Sequence, residues 1–341
     1  ILYTMHDPKY NYKYYSEPEP HLNNRKLFCP RGKMIGGCSA HNGMVYVRGN
    51  PNDYERWVSF GLKNWSYEKV LPYFKKIETW SEGENDYRGA NGLLPVNQSK
   101  NKNPLFKAFV NSAGEAGYKI NNDMNGKVQE GFGMYDVTIH KGERASVSKF
   151  YLNPAKKRKN LNVFTEAFVE KIIFDEKKAI GVEVKIKDKV KKIYANKEVI
   201  LSGGAINSPQ LLMLSGIGPS QHLKDKGINV IHDLDGVGKN LQDHLETYVQ
   251  QECKTKDTLY SYVNKLNMLK IGIQWFFNRS GPCSNSFLEA GGFCKSSPER
   301  EYPNIQFHFF PAFVIDHGLV EPDRHGYQLH ASPNHPKSRG H

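Results

Sequence analysis

The feature that most restricts the fold is the passage at 198–219. Glu198-Val199-Ile200-Leu201 is apolar enough for a buried sheet strand, and Gly203-Gly204 follows it as a tight turn. Ser208 then reads as a helix cap with Pro209 at the first helical position. Leu211 to Leu214 form a short apolar helix, and Gly216 stops it. A strand passing through a glycine turn into a helix is α/β architecture, which places ligands beyond the carboxyl ends of its strands. Upstream, residues 163–174, 180–186 and 193–201 are β-branched runs separated by charged turns such as Asp175-Glu176-Lys177-Lys178. They predict an antiparallel meander whose last strand enters the glycine turn.

A second glycine stretch stands near the start: Arg31-Gly32-Lys33-Met34-Ile35-Gly36-Gly37-Cys38-Ser39-Ala40-His41-Asn42-Gly43-Met44. Gly36 and Gly37 can take positive φ or admit another molecule closely. Ser39 reads as an N-cap, residues 40–47 as a helix, and Gly49 with Pro51 as its stop. A glycine turn feeding a helix start presents unpaired N–H groups suited to an anion or an electron-rich ring. Alone, the pattern serves equally as a tight turn packed against a strand.

Elsewhere, Asp53 reads as the cap of a short helix running through Trp57. Residues 65–80 place Val70, Leu71, Phe74 and Ile77 at helical spacing around Pro72. Residues 81–103 read as a long polar loop, and 104–117 as a helix with Leu105, Phe106, Phe109, Val110 and Ala113 on one face. Beyond 246, the pattern predicts strands at 248–253, 288–293 and 304–310, a helix at 265–277, and a terminal loop rich in Pro, His and Gly.

The chain has 341 residues, with 38% hydrophobic and 12% aromatic content, which excludes wholesale disorder and suggests roughly two domains. No apolar run is long enough to span a membrane. The formal charge of +12 is spread over lysine clusters such as Lys156-Lys157-Arg158-Lys159. Solvated surface is the plain reading; a polyanion-binding patch would lack any recognition motif. Five cysteines (Cys29, Cys38, Cys253, Cys283, Cys294) contain no CxxC and indicate neither a metal site nor a disulfide framework, though one or two bridges stay open.

Together, 32–54 and 204–218 resemble the two signatures of the glucose-methanol-choline (GMC) oxidoreductases, position by position. Arg48-Gly49-Asn50, Gly238-Lys239-Asn240-Leu241-Gln242-Asp243-His244 and Pro336-Lys337-Ser338-Arg339-Gly340 also look like that family, in its order and spacing. The flavour is closest to the animal glucose dehydrogenase and choline dehydrogenase branch. The resemblance implies a flavoprotein that oxidises an alcohol to a carbonyl, hydride passing to N5 of FAD, with oxygen or a quinone as electron acceptor. It implies that Gly36, Gly37, Cys38 and Ser39 lie along the flavin and that Asn42, Gly43, Met44 and Val45 contact its ring. Val169 would meet the adenine through its backbone, and Gly203, Gly204 and Ala205 would pass near the dinucleotide. Two positions depart from the pattern. Cys38 replaces the usual Ser or Thr, and a thiol hydrogen-bonds weakly. His41 replaces an aliphatic residue; in choline oxidase-like members a histidine here bonds covalently to the flavin, the alternative being a hydrogen-bonded ring packed beside it.

The expected architecture is an incomplete Rossmann-like FAD-binding domain at 1–245, with the meander and a helical insertion near 55–125. A partial β-sheet substrate domain follows at 246–341. No GxGxxG occurs, and no histidine lies in the family's catalytic context; His244 and His308 read as loop or structural residues. The resemblance therefore implies an internal fragment, inactive by itself, of an alcohol-oxidising parent, with no catalytic or metal-binding residue in this stretch. A non-catalytic GMC-fold relative, a surface-binding protein and a lyase- or esterase-like variant remain open. Asn64, Asn97 and Asn278 begin glycosylation sequons, which with the family branch favour an extracellular setting.

Overall fold

The structure, a computed structural model, describes residues 5–315 and 320–341. Ile1-Leu2-Tyr3-Thr4 and 316–319, the latter within the Pro-, His- and Gly-rich stretch, lie outside the described residues. The first half of the chain carries β1 (Tyr14–Tyr15), β2 (Phe28–Cys29), β3 (Val45–Tyr46), α1 (Pro51–Ser59), α2 (Tyr67–Ile77), β4 (Glu78–Trp80) and β5 (Leu94–Gln98). It continues with α3 (Pro104–Glu115), β6 (Gly131–Met134), β7 (Asp136–Val137), β8 (Ile139–His140) and β9 (Glu143–Arg144). The second half holds β10 (Ala167–Asp175), β11 (Lys178–Ile186), β12 (Lys189–Tyr194), α4 (Gly204–Leu214), β13 (Ile217–Gly218), α5 (Ser220–Asp225) and β14 (His232–Asp233). Then come β15 (Thr247–Glu252), α6 (Lys265–Asn278), β16 (Ala290–Cys294), β17 (Ile305–Phe310) and β18 (Gly326–Pro333). This is mixed α/β with several sheets. It divides into two compact units, Ile1–Leu161 with Leu245–Asn334, and Asn162–His244 with His335–His341.

The first unit is built on a five-stranded antiparallel sheet in the order β15-β18-β17-β16-β6. Successive side chains of a strand face opposite sides, and β16 shows the consequence. Ala290 and Cys294 join Phe106, Phe109, Ala113 and Phe309 beneath α3, while Phe293 points the other way against Tyr135, Met124, Val45 and Val47. The sheet thus carries a helix on one face and the β3 segment on the other. A smaller sheet, β3-β7-β5-β4, continues from it.

Several sequence expectations need correction here. The 81–103 loop contains β5, which pairs parallel to β4 and antiparallel to β7. The terminal loop contains β18, an interior strand of the large sheet. Both runs are interrupted by proline or polar residues, so alternation was masked. The helix predicted at 40–47 is absent. A single 3-10 turn, Gly37–Ala40, leads instead to β3, because Val45 and Tyr46 find β7 as a partner. The cap of α1 is Asn50, and Asp53 completes its capping box from the third position.

In the second unit the meander β10-β11-β12 forms as expected, except that its third strand is Lys189–Tyr194. Residues 198–201 are not a strand. Ile200 is 76% exposed, and no described strand pairs with this run, so its apolar character has no sheet to fill. The helix after the glycine pair begins earlier than predicted. Ser208 and Pro209 lie inside α4, whose first residues are Gly204 and Ala205, with Gly216 (φ +88°) ending it. Ser215, at its C-cap, accepts the Ile172 N–H at 2.8 Å, tying α4 to β10.

Candidate functional site

The loop 32–45 owes its shape to glycine at two points. A Cβ on Gly32 would stand 2.6 Å from the Gly37 carbonyl and 2.9 Å from His41 Nε2, so the chain can pass under the turn only without a side chain. Gly36 (φ +94°) and Gly37 (φ +53°) are both left-handed. At Gly37 a Cβ would meet nothing within 4 Å, so its outer face is open to another molecule.

The following turn is held from within. The Ser39 hydroxyl donates to the Gly36 carbonyl at 2.6 Å and accepts the Val147 N–H at 3.0 Å. Ser39 therefore fastens the turn instead of capping a helix. The Cys38 thiol accepts the Gly32 N–H at 3.4 Å, a role that a weak sulfur acceptor can fill. All five cysteines are free thiols. His41 and Asn42 both donate their N–H to the Cys38 carbonyl, at 3.1 and 2.8 Å.

His41 is 8% exposed, and its Nε2 has no hydrogen-bond partner among the described residues. Burial, helped by the nearby positive charge of Arg144, pulls its pKa below the ordinary 6.5. The result is a neutral imidazole with an uncommitted nitrogen. Beyond it, Met44 is buried and left-handed (φ +63°), a conformation that costs a side-chain-bearing residue about 1 kcal/mol or more. It is held there by Asn42 Oδ1, which accepts the Met44 N–H at 3.1 Å. Thr138 donates twice to the Met44 carbonyl, through its N–H at 2.8 Å and its hydroxyl at 3.2 Å. Ser286 donates its hydroxyl to the Gly43 carbonyl, and its N–H reaches the buried Glu289 carboxylate at 2.6 Å. Glu289 also accepts from Ser99, so Ser286 ties the loop to the residue that precedes β16.

The loop's exit is anchored by buried charge. Glu78, fully buried, receives Arg48 at 2.7 Å, Arg88 at 3.0 Å and the Gly89 N–H at 2.9 Å. Arg88 also pairs with Asp123 at 2.6 Å and Asp136 at 2.7 Å, and stacks over Trp80 at 4.2 Å. Burial pushes the Asp123 carboxyl and the Tyr46 phenol up, the latter to about 12. A cavity of about 240 Å³ beside this network is lined by Arg48, Asn50, Tyr67, Asn125, Gln129 and Tyr302.

The residues expected around a dinucleotide thus fall in two groups. Gly36, Gly37, Cys38, Ser39, His41, Asn42, Gly43, Met44 and Val45 are gathered in one loop of the first unit. Val169, Gly204 and Ala205 belong to the second. There Val169 lies in β10 opposite Val184, beside a bulge at Glu170, and Gly204 (φ +86°) has open space where a Cβ would stand. His308 faces His330 across β17 and β18, and His244 is exposed. Sequence reading overlooked Arg144, Thr138, Ser286 and Glu289. Arg144, Thr138 and Ser286 reach the loop from roughly a hundred or more positions away, Glu289 acts through Ser286, and no local motif marks them.

Comparison with known proteins adds the following. The family model described as GMC oxidoreductase matches residues 14–246. The chain is similar to the oxygen-dependent choline dehydrogenases of Brucella anthropi (46% identical over 340 residues) and Staphylococcus xylosus (47% over 344). All of this chain is covered in both, but only 62% and 61% of those proteins, so the chain spans about three-fifths of the length of these curated relatives. Among solved structures it resembles pyridoxine 4-oxidase from Mesorbium loti, with TM-score 0.83 and 26% identity, covering 97% of this chain and 62% of the other. It also resembles an Aspergillus oryzae formate oxidase variant studied for FAD modification, with TM-score 0.85 and 25% identity, covering 97% and 64%.

Proposed function

This chain belongs to the GMC oxidoreductase family, and we propose that the whole protein oxidises an alcohol CH–OH group to a carbonyl with FAD as its cofactor. The observation that carries the reading is the loop itself: two left-handed glycines, an open space at Gly37, and a buried His41 nitrogen with no partner. Those are the features of a cradle that another molecule completes. Gly36 to Val45 would hold the ring, and Val169 with Gly204 and Ala205 would hold the adenine and pyrophosphate end. We place 1–245 in the FAD-binding domain and 246–341 in the substrate domain.

When bound, the flavin supplies a two-electron acceptor for hydride from the carbinol carbon. The chain's own residues bind and orient. The Ser39–Val147 bond and the Asn42–Met44 turn hold the backbone rigid, so that little ordering remains on binding. His41 offers a neutral nitrogen and is the candidate point of covalent attachment. No group of this chain is assigned as the base that takes the hydroxyl proton.

The relatives named for choline make choline the first alcohol to assay, with oxygen and a quinone as alternative acceptors. Full-length protein should show flavin absorbance and alcohol-dependent bleaching under anaerobic conditions; purified colourless protein that takes up no added FAD would refute the reading. After acid precipitation, yellow colour in the pellet that is lost in His41→Ala establishes the linkage, and colour in the supernatant denies it. An extracellular setting remains a proposal resting on exposed sequons at Asn64 and Asn278. Asn97 is unsuited, since its amide donates to the Ile139 carbonyl.

A further inference from the structure

We propose that Arg144 is a positioning residue of this loop, its guanidinium locking Asn42 and the Ser39 carbonyl and so setting how His41 and Met44 meet the cofactor. This rests on the flavin reading above. Arg144 Nη1 donates to Asn42 Oδ1 at 2.7 Å and lies 3.4 Å from the Ser39 carbonyl. Asn42 Oδ1 is the same atom that accepts the Met44 N–H, so the left-handed turn at Met44 depends on a side chain that Arg144 orients.

Arg144 is itself held. The β8–β9 hairpin that carries it is gripped by α6: Trp275 Nε1 donates to the Gly142 carbonyl at 2.7 Å, and Arg279 pairs with Glu143 at 3.2 Å. Glu143 also pairs with Lys149. Glu143 is thus committed to two cations, while the partners of Arg144 are neutral oxygens. A guanidinium placed on neutral oxygens beside a buried imidazole serves more than packing, because no carboxylate among the described residues pairs with it and its charge acts on its neighbour.

The charged groups around His41 are few. On its own turn stands the Cys38 thiol, already accepting from Gly32. From the hairpin comes Arg144. From the preceding strap, Gly32 is the residue against Nε2; its neighbours point elsewhere, Arg31 to the Pro30 carbonyl and Lys33 over the Tyr12 ring. Among the described residues, Arg144 is therefore the side-chain cation that addresses His41.

The test uses full-length protein carrying Arg144→Gln, Arg144→Lys or Asn42→Ala. In flavin-free protein, an NMR titration of the His41 ring should show its midpoint rising in Arg144→Gln and staying near wild type in Arg144→Lys, which keeps the charge. FAD affinity should fall about ten- to a hundredfold in both, because an ammonium cannot reproduce the fork. Asn42→Ala should lower affinity by a similar factor, and the Asn42→Ala/Arg144→Gln double variant by little more. An unmoved His41 midpoint in Arg144→Gln, wild-type FAD affinity in both Arg144 variants, or full additivity in the double variant would each overturn the proposal. If wild-type protein binds no flavin, the reading beneath it fails, and the flavin-free titration still judges Arg144.

Discussion

His41 and Gly32 face each other across the loop, and each makes a distinct prediction. Burial and Arg144 hold the His41 pKa below 6.5, so the folded state favours the neutral ring and the unfolded chain binds its proton more readily. The stabilisation is whole above pH 6.5 and is lost as pH falls from there through the folded value. His140 is shifted the same way, so the measurement is a difference. Denaturant melts of wild type and His41→Gln should diverge above pH 6.5 and converge at lower pH. At Gly32, alanine would press on the Gly37 backbone and the His41 ring at once. Gly32→Ala should cost about 1–3 kcal/mol and reduce FAD retention, read by denaturation and by flavin-to-protein ratio. Gly36 and Gly37 were legible in the sequence because left-handed backbone favours glycine, whereas the need for Gly32 comes from the closeness of Gly37 and His41. His41 was legible by position but not by state, since burial and an unpartnered nitrogen are tertiary facts. Arg144 was invisible, because its meaning lies in Asn42, 102 positions away.

At the scale of elements, sequence reading succeeded where a periodic pattern was long. The helices α2, α3 and α6 and the strands β16 and β17 lie close to their expected positions. It failed where a short run had to choose a partner: Val45 and Tyr46 could extend a helix or join β7, and only the presence of β7 decides. The caps repeat the lesson. Asp53 was noticed, but the acceptor for the first turn is Asn50, whose amide also donates to Gln129 at 3.1 Å. Asn50→Ala should destabilise by about 1 kcal/mol or somewhat more, measured by urea denaturation. The ion network is more demanding. Glu78→Ala would take from buried Arg48 its carboxylate and leave Arg88 with Asp123 and Asp136 alone, and a loss of about 3–5 kcal/mol is expected. Glu78→Gln should lose less, since the amide can still accept a hydrogen bond.

For the whole molecule, the sequence announced mixed α/β but not the discontinuous first unit, because strand order is set by pairing rather than proximity in the chain. The junction near 161 is testable. Lys156-Lys157-Arg158-Lys159 is exposed throughout and adjoins it, so limited trypsin treatment should cut there first, leaving fragments that start near 160, identified by mass.

That discontinuity also has a history in time. β6, at 131–134, becomes an edge of the large sheet only when β16, at 290–294, exists to receive it. At about 5–20 residues per second of synthesis, β6 waits on the order of ten seconds or more for that strand, with only the short bridge of Phe132 to Ile120 on its other side. Meanwhile the meander and α4, all of whose pairings are local, emerge complete. The meander and α4 are therefore expected to form on the ribosome while the loop carrying His41 still lacks Ser286, and 335–341, the remainder of the second unit, follows later. The cofactor would be captured late, by a chain whose glycine loop was made first and finished last.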